Sequence, residues 1–559
     1  MEQLKSLEPN PQNLLTLPPE IQAKIFSHLA ASFGRSSIQP VLRTCKTLYE
    51  VALPISVSLF RNTVQNSEGQ GPCSRIRNAQ FLRYILVSKP WLAKHVNTVI
   101  FGRISNGNDE ERRAYTTDGK PDPSMATDEE LVVYSQHIEL ILGQLPSDYT
   151  KGWYNHWVID LKRGTSDAQI SLILLACPNI RTILFEMSQH KSHFPRLLNL
   201  VRNLVEINIS IHTPGSEWGD GNHPDMVIPL SNVQDVFHET VDYSNGYSEF
   251  EMDGPDLFAL PRLRFYECIL ARGNDTAARR FGDLLPRSSS VEEITLHCSA
   301  STPGALKKMM LSCKALKKFE FTHHGYFMSG LMMPRDILDA ILPHAETLED
   351  LYINMEEDWD KGWNWHDCPG RLYMGTELRE MRVLKKLTVG MQALTGMLGA
   401  KPENHTSVAH QMPLQVEGAP QLVDCLPENL EYLKVRACGL GIVNQVADLI
   451  SAVEKGSRFK KLTYIGLLFN GWATEKGVDK SQVRLICNAP GLHLDVGFQD
   501  NVQAIYDLGR DIGEGEGGQP RTCNLTSRIH AQDSRQHYFE TRGSSEIPWY
   551  LKNTDSFQG

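Results

Sequence analysis

SDAQISLILLACPNIRTILF, Ser166–Phe185, holds the unit that decides the fold: a helix, a Cys-Pro-Asn turn and a strand. The strand reads apolar, two free, apolar, one free, apolar, at Ile180, Ile183 and Phe185. That pattern recurs at Val96/Val99/Phe101, Leu204/Ile207/Ile209, Leu263/Tyr266/Cys268, Val291/Ile294/Leu296 and Leu316/Phe319/Phe321. It continues at Leu348/Leu351/Ile353, Leu384/Leu387/Val389, Leu430/Leu433/Val435 and Leu462/Ile465/Leu467. In a chain that is 41% hydrophobic, three fixed apolar positions match by chance about once in fifteen starts. Context raises the signal. Helix-like segments precede most copies, as in Phe81–Phe101, Phe194–Ile209, Ala277–Leu296, Pro303–Phe321 and Pro334–Ile353. Charged residues also recur behind the leading apolar residue: VEEITL, LKKFEF, LEDLYI, LKKLTV, LEYLKV.

From Ile180 to Leu462 the pattern returns on average about every 35 residues, longer than the ~20–29 of a regular leucine-rich repeat. The expected architecture is α/β: an N-terminal helical module, then an irregular leucine-rich-repeat-like solenoid of strand–helix units over 75–500. Each unit buries its helix and strand against its neighbours rather than alone. An unrelated α/β sheet is the alternative.

The N-terminal module is LLTLPPEIQAKIFSHLAASFGRSSIQPVLRTCKTLYEVALP, Leu14–Pro54. Thr16 or Leu17 starts a helix, Pro18 and Pro19 suit its first turn, and Glu20 faces the positive end of its dipole. Ile21, Ile25 and Leu29 share one face, with Phe26 widening it. Ser36 or Ser37 caps a second helix, with Pro40 near its start, whose apolar face is Val41, Leu42, Cys45, Leu48 and Ala52. The LPPEIQAKIFSHL opening with VLRTCK in the second helix resembles the F-box, the helical module that docks on the Skp adaptor of cullin ubiquitin ligases. The chain has AASFGRSSIQP where the F-box commonly has a compact aspartate-leucine step.

The resemblance implies an F-box over residues 14–60, with Leu17, Pro18, Ile21, Ile25, Leu29, Val41, Leu42, Cys45 and Leu48 facing the adaptor. FLRYILVSKPWLAKHVNTVIF, from Phe81, and LREMRVLKKLTVGMQALTG, from Leu378, are similar to the repeat region that follows the F-box in many proteins of filamentous fungi. The implied role is a non-catalytic substrate receptor of a cullin-type (SCF) ligase. Its partners would be a Skp-type adaptor, cullin through that adaptor, and a protein substrate. A repeat scaffold acting outside ubiquitination is the alternative.

Substrate contacts are expected on loops leaving the strand ends. SIHTPGSEWGDGNHPDM after Ile209 contains Trp218, and NMEEDWDKGWNWHDCPG after Ile353 contains Asp358, Trp359, Trp363 and Trp365. Tryptophan is enriched at binding hot spots, and the acids favour a basic partner. A second cluster, Trp153, Tyr154 and Trp157 in KGWYNHWVIDL, reads as packing.

Composition excludes several classes. The net charge of −10 over 559 residues, with no lysine/arginine run, argues against nucleic-acid binding. No segment approaches the ~18 apolar residues of a membrane span. The opening MEQLKSLEPNPQN has no signal-peptide apolar core, and the eleven cysteines include no CxxC pair, so an intracellular protein is expected, cytoplasmic or nuclear. No cofactor or metal site is expected. His190/His193 and His323/His324 lack zinc-ligand spacing and read as surface histidines. The acids at 356–360 lack calcium-loop spacing. GEGEGG has neither the strand nor the helix of a nucleotide loop, and no hydrolase elbow or kinase set is present. The acid- and glycine-rich Asp511–Pro520 is expected to be flexible, within a C-terminal tail spanning 509–559.

Overall fold

A computed structural model of the chain describes residues 14–33, 37–62, 74–104, 122–143, 147–187, 193–212, 227–240, 254–269, 273, 275–299, 301–323, 332–355, 369–397, 415–416, 418–470, 483, 485 and 487–499. Twelve strands form one sheet: β1 (Leu59–Arg61), β2 (Thr98–Ile104), β3 (Thr182–Met187), β4 (Asp235–Thr240), β5 (Phe265–Ile269), β6 (Glu293–Ser299), β7 (Lys318–His323), β8 (Asp350–Asn354), β9 (Lys386–Gly390), β10 (Tyr432–Cys438), β11 (Tyr464–Asn470) and β12 (His493–Gln499). All pairs are parallel, and the order across the sheet is the order along the chain. A doubly wound sheet reverses direction at a switch point; this one never does. Crossovers that always step the same way stack the units side by side in chain order, so the fold is an α/β solenoid.

The apolar pattern fills the interior. Val99, Ile183, Val236, Tyr266, Ile294, Phe319, Leu351, Leu387, Leu433 and Ile465 stand in register and are all buried. They belong to one continuous core from Phe60 to Phe469. Burying a side chain of this size contributes roughly 1.5–3 kcal/mol.

At the start of β2 through β11 the backbone forks. The N–H groups of Lys317 and Lys318 both donate to Glu292 O (2.7 and 3.1 Å), and those of Glu349 and Asp350 both donate to Lys317 O (2.8 and 3.1 Å). The same doubly accepted carbonyl recurs at Ser58, Asn97, Arg181, Gln234, Arg264, Glu349, Lys385 and Glu431. From Arg264 the residues at this step alternate in sign: Arg264, Glu292, Lys317, Glu349, Lys385, Glu431. Ion pairs close between Arg264 and Glu292 (2.9 Å), Lys317 and Glu292 (3.2 Å), and Lys385 and Glu349 (2.6 Å).

The structure corrects several sequence readings. Leu204/Ile207/Ile209 is not a strand, because Phe194–His212 is a single helix. Leu197, Val201 and Leu204 are buried at helical spacing, while Ile209 is exposed. The strand of that repeat is β4, which the apolar pattern misses because its inner position is polar. His238 stacks on Phe185 (4.8 Å between centroids), with Cys268 Sγ 3.6 Å from its Nδ1. The second N-terminal helix is split. Following Pro19–Phe33 (α1) there is a single turn, Ile38–Val41 (α2), and then Lys46–Val57 (α3), with Cys45 extended between them. The segment from Ile55 therefore starts inside α3, and among its described residues three pair as β1.

His193 is buried rather than on the surface. Helix Ser147–Lys162 lies over helix Ser166–Ala176, whose first ten residues are all buried. Trp157 Nε1 donates to Ala168 O (2.9 Å), and Trp153 stacks on Trp157 and donates to His193 Nδ1 (3.2 Å). The other ring nitrogen of His193 bonds Asp160 Oδ2 (2.9 Å). The carboxylate of Asp167, fully buried, accepts from His193 N (2.7 Å) and Phe194 N (2.9 Å), capping the Phe194–His212 helix. Asp167→Ala strands two buried N–H groups and should cost about 2–3 kcal/mol. A drop of that size in the first urea transition, with Asp167→Asn milder, is the expected result.

Candidate interaction surfaces

The N-terminal module has its own small core of Phe26, Ala30, Ile38, Leu48 and Ala52. Gln22 is buried with them. Its Nε2 donates to Leu14 O (3.0 Å) and Leu17 O (2.9 Å), which folds the opening turn against α1. The inner face of α1 is thus Gln22, Phe26 and Ala30. Beside that face Ile21 and Ile25 are exposed, at 42% and 41%, with Leu15, Phe33 and Pro18 also open to solvent. Leu17, Leu29, Val41 and Leu42 are half-buried, and Cys45 is exposed. Leu48 leaves the docking set, because it packs inward beneath α1. The module is seated on the repeats through Leu53 and Val57, which pack with Leu92, and through Lys89, which donates to the Tyr49 hydroxyl.

The second surface is the side of the sheet turned away from the inner row. Its first column runs Thr98, Thr182, Asp235, Phe265, Glu293, Lys318, Asp350, Lys386, Tyr432, Tyr464 and His493. Its next column runs Ile100, Leu184, Phe237, Glu267, Thr295, Glu320, Tyr352, Thr388, Lys434, Gly466 and Asp495. In the first half the face is closed around β5: Phe237 and Phe265 pack ring to ring (5.2 Å), and β5 is buried over its whole length. From β7 onward the face is polar and partly exposed.

Tyr432 and Tyr464 stack there at 4.4 Å with rings nearly coplanar in tilt (1°). The Tyr464 ring leans over Gly466, where an added Cβ would lie 2.8 Å from it, and its hydroxyl donates to Asp495 Oδ2 (2.9 Å). Burial raises the carboxyl pKa of Glu320 and of Asp350. Lys318 opposes both shifts and Lys386 opposes that of Asp350.

Among the described residues no group of three or more His, Cys, Asp or Glu side chains is placed to hold a metal, and no helix is long and apolar enough to cross a membrane. Trp218, Asp358, Trp359, Trp363 and Trp365 lie outside the described residues.

The family model of the leucine-rich repeat domain matches residues 74–463. The chain belongs to the leucine-rich-repeat domain family. That span takes in the helix before β2 and the sheet up to the end of the β10–β11 connection. No curated protein matches the chain. A leucine-rich-repeat domain is a scaffold for protein partners, which suits a long sheet with an open, polar second half.

Lys318 is the cation between two acids that burial already penalises. Raised folded-state values mean that Glu320 and Asp350 cost stability when ionised, and this cost fades as pH falls through their folded pKa values. Lys318→Ala should therefore destabilise the fold by about 1–2 kcal/mol at neutral pH, discounted for the partial exposure of the lysine. The deficit should shrink on acidification, when the carboxyls protonate. Urea unfolding of both proteins at about pH 7 and about pH 5 measures it.

Proposed function

We propose that this protein is the substrate-recognition subunit of a cullin-type (SCF) ubiquitin ligase. The N-terminal helices are its F-box, docking on a Skp-type adaptor, and the outward sheet face holds the protein to be modified. The observation that carries this reading is the exposed pair Ile21 and Ile25 on a helix whose adjoining face is packed. An apolar strip of this kind, on a module seated at the first repeat, is what a docking helix leaves open before its partner arrives. Leu17, Pro18, Leu29, Val41, Leu42 and Cys45 would flank that pair. The role is non-catalytic: holding substrate lysines near a charged conjugating enzyme raises their effective concentration. Trp218, Asp358, Trp359, Trp363 and Trp365 are proposed substrate contacts on sequence alone, and the working place is intracellular.

A repeat scaffold outside ubiquitination is the second reading, favoured by the family match itself, which begins after the helical module. Co-purification separates the two. The full chain should recover the Skp adaptor and cullin together, and Ile21→Asp should lose both while keeping the wild-type thermal unfolding profile. A charge buried unpaired at such a contact costs several kcal/mol. Adaptor recovery unchanged in Ile21→Asp refutes the docking face, and adaptor without cullin supports the scaffold.

A further inference from the structure

We infer that the free edge of β12 is a docking site for the chain's own segment Ile547–Leu551, which pairs with it antiparallel and closes that end of the sheet. The segment lies outside the described residues; the edge it fits and its own sequence carry the assignment.

The two ends of the sheet differ. β1 has three residues and lies beside the N-terminal helices, which are seated there through Leu53 and Val57. β12 has seven residues, pairs with β11 in unbroken register from His493 to Gln499, and has no strand on its other side among the described residues. It contains no lysine, proline or bulge, the devices that protect such an edge. Its inner side is also incompletely covered: Leu494 and Val496 are half-buried, whereas their register partners Ile465 and Leu467 are buried. His493 N donates to Thr463 O (2.8 Å). Peptide groups of successive residues point to opposite edges of a strand, so His493, Asp495 and Gly497 face β11, and Leu494 and Val496 face the free edge.

An occupant must bring apolar side chains to the inner side of this edge. In an antiparallel pair, opposite residues share a face, and at hydrogen-bonded sites their peptide groups point at each other. EIPWYLK, Glu546–Lys552, meets both demands: Ile547, Trp549 and Leu551 alternate. Set opposite Leu494 and Val496, they turn their peptide groups toward β12, and Pro548 and Tyr550 turn theirs away. Pro548 then falls where no donor is needed and blunts the new outer edge. In a parallel pair the assignment reverses, and Pro548 would face β12 with no N–H to give; the proline thus selects the antiparallel direction. The stretch Val502–Leu508 fits less well. A two-residue hairpin at Asp500 and Asn501 would place Gln503 and Asp507 on the inner side.

The outward side agrees. The two registers that set apolar residues opposite both Leu494 and Val496 bring Tyr550 opposite His493 or Asp495. Tyr550 would then extend the ring column Tyr432, Tyr464 and His493, spaced 4.4 and 5.6 Å. Cross-strand aromatic pairs of this kind stabilise a sheet.

Hydrogen exchange of the full chain, read by mass spectrometry, tests the closure. Peptides spanning 492–499 and 546–552 should exchange about tenfold or more slower than in Trp549→Asp, which puts a charge on the inner side. Leu551→Pro removes an N–H aimed at β12 and should lose the protection. Tyr550→Pro removes one on the outer edge and should keep it. Peptides from β6 to β8 should exchange alike in all variants, which reports an intact fold. Free exchange of 546–552 in the wild type, equal protection in Trp549→Asp, or tolerance of Leu551→Pro with loss in Tyr550→Pro overturns the proposal. So does protection of 492–499 that rises with protein concentration while 546–552 stays free, which assigns the edge to a second copy. Protection of 501–508 in place of 546–552 overturns it equally. Adaptor recovery should be unchanged in every variant, so the closure and the docking face fail separately.

Discussion

The rest of the architecture depends on one backbone arrangement, the carbonyl that accepts two successive N–H groups from the next repeat. Parallel strands have no hairpin to set their register. Here the fork at Glu292, Lys317, Glu349 and Lys385 fixes where each new strand starts relative to the last. A slip of one residue would turn Phe319 and Phe321 to solvent and the lysines inward. The alternating charges at the fork cooperate with it, since a residue is opposite in sign to the one whose carbonyl it bonds. Each exposed pair contributes at most about 1 kcal/mol, so these pairs reinforce a register that the apolar rows already favour.

That register has consequences on the other side of the sheet. Because every strand starts in step, its outward residues line up in columns, and a column can change character along the solenoid. It runs from Phe237 and Phe265, closed and apolar, to Lys434, Tyr432 and Tyr464, polar and open. Glycine is used for reach at Gly466, which admits the Tyr464 ring. The N-terminal helices close the other end. A solenoid exposes its terminal repeats and needs caps, and α3 supplies Leu53 and Val57 to that junction while α1 keeps a second apolar strip for itself.

Where reading the sequence failed, polarity or context had overruled the pattern. His238 occupies an inner strand position and erases β4 from an apolar template, though its ring packs on Phe185 like any core residue. Leu204, Ile207 and Ile209 satisfy the strand spacing, yet the segment from Phe194 buries its apolar residues at helical spacing instead. His193 reads as a solvated histidine until helix Ser147–Lys162 brings Trp153 and Asp160 to it. Leu48 belongs to an apolar face in sequence, but only the packing of α3 on α1 shows that this residue points inward.

The sequence by itself determined the repeat, the α/β class and the presence of an apolar stripe on the first helix. Those follow from local periodicity, since apolar spacing is dictated by helix and strand geometry. Tertiary structure alone decided the rest: the sequential order of the twelve strands, the split of the second helix, the helix cap made by Asp167, and the meeting of Tyr352 with Arg436 across 84 residues of chain. Periodicity reports which side of an element is buried. What stands beside it is set by register between repeats, and that is a property of the folded backbone.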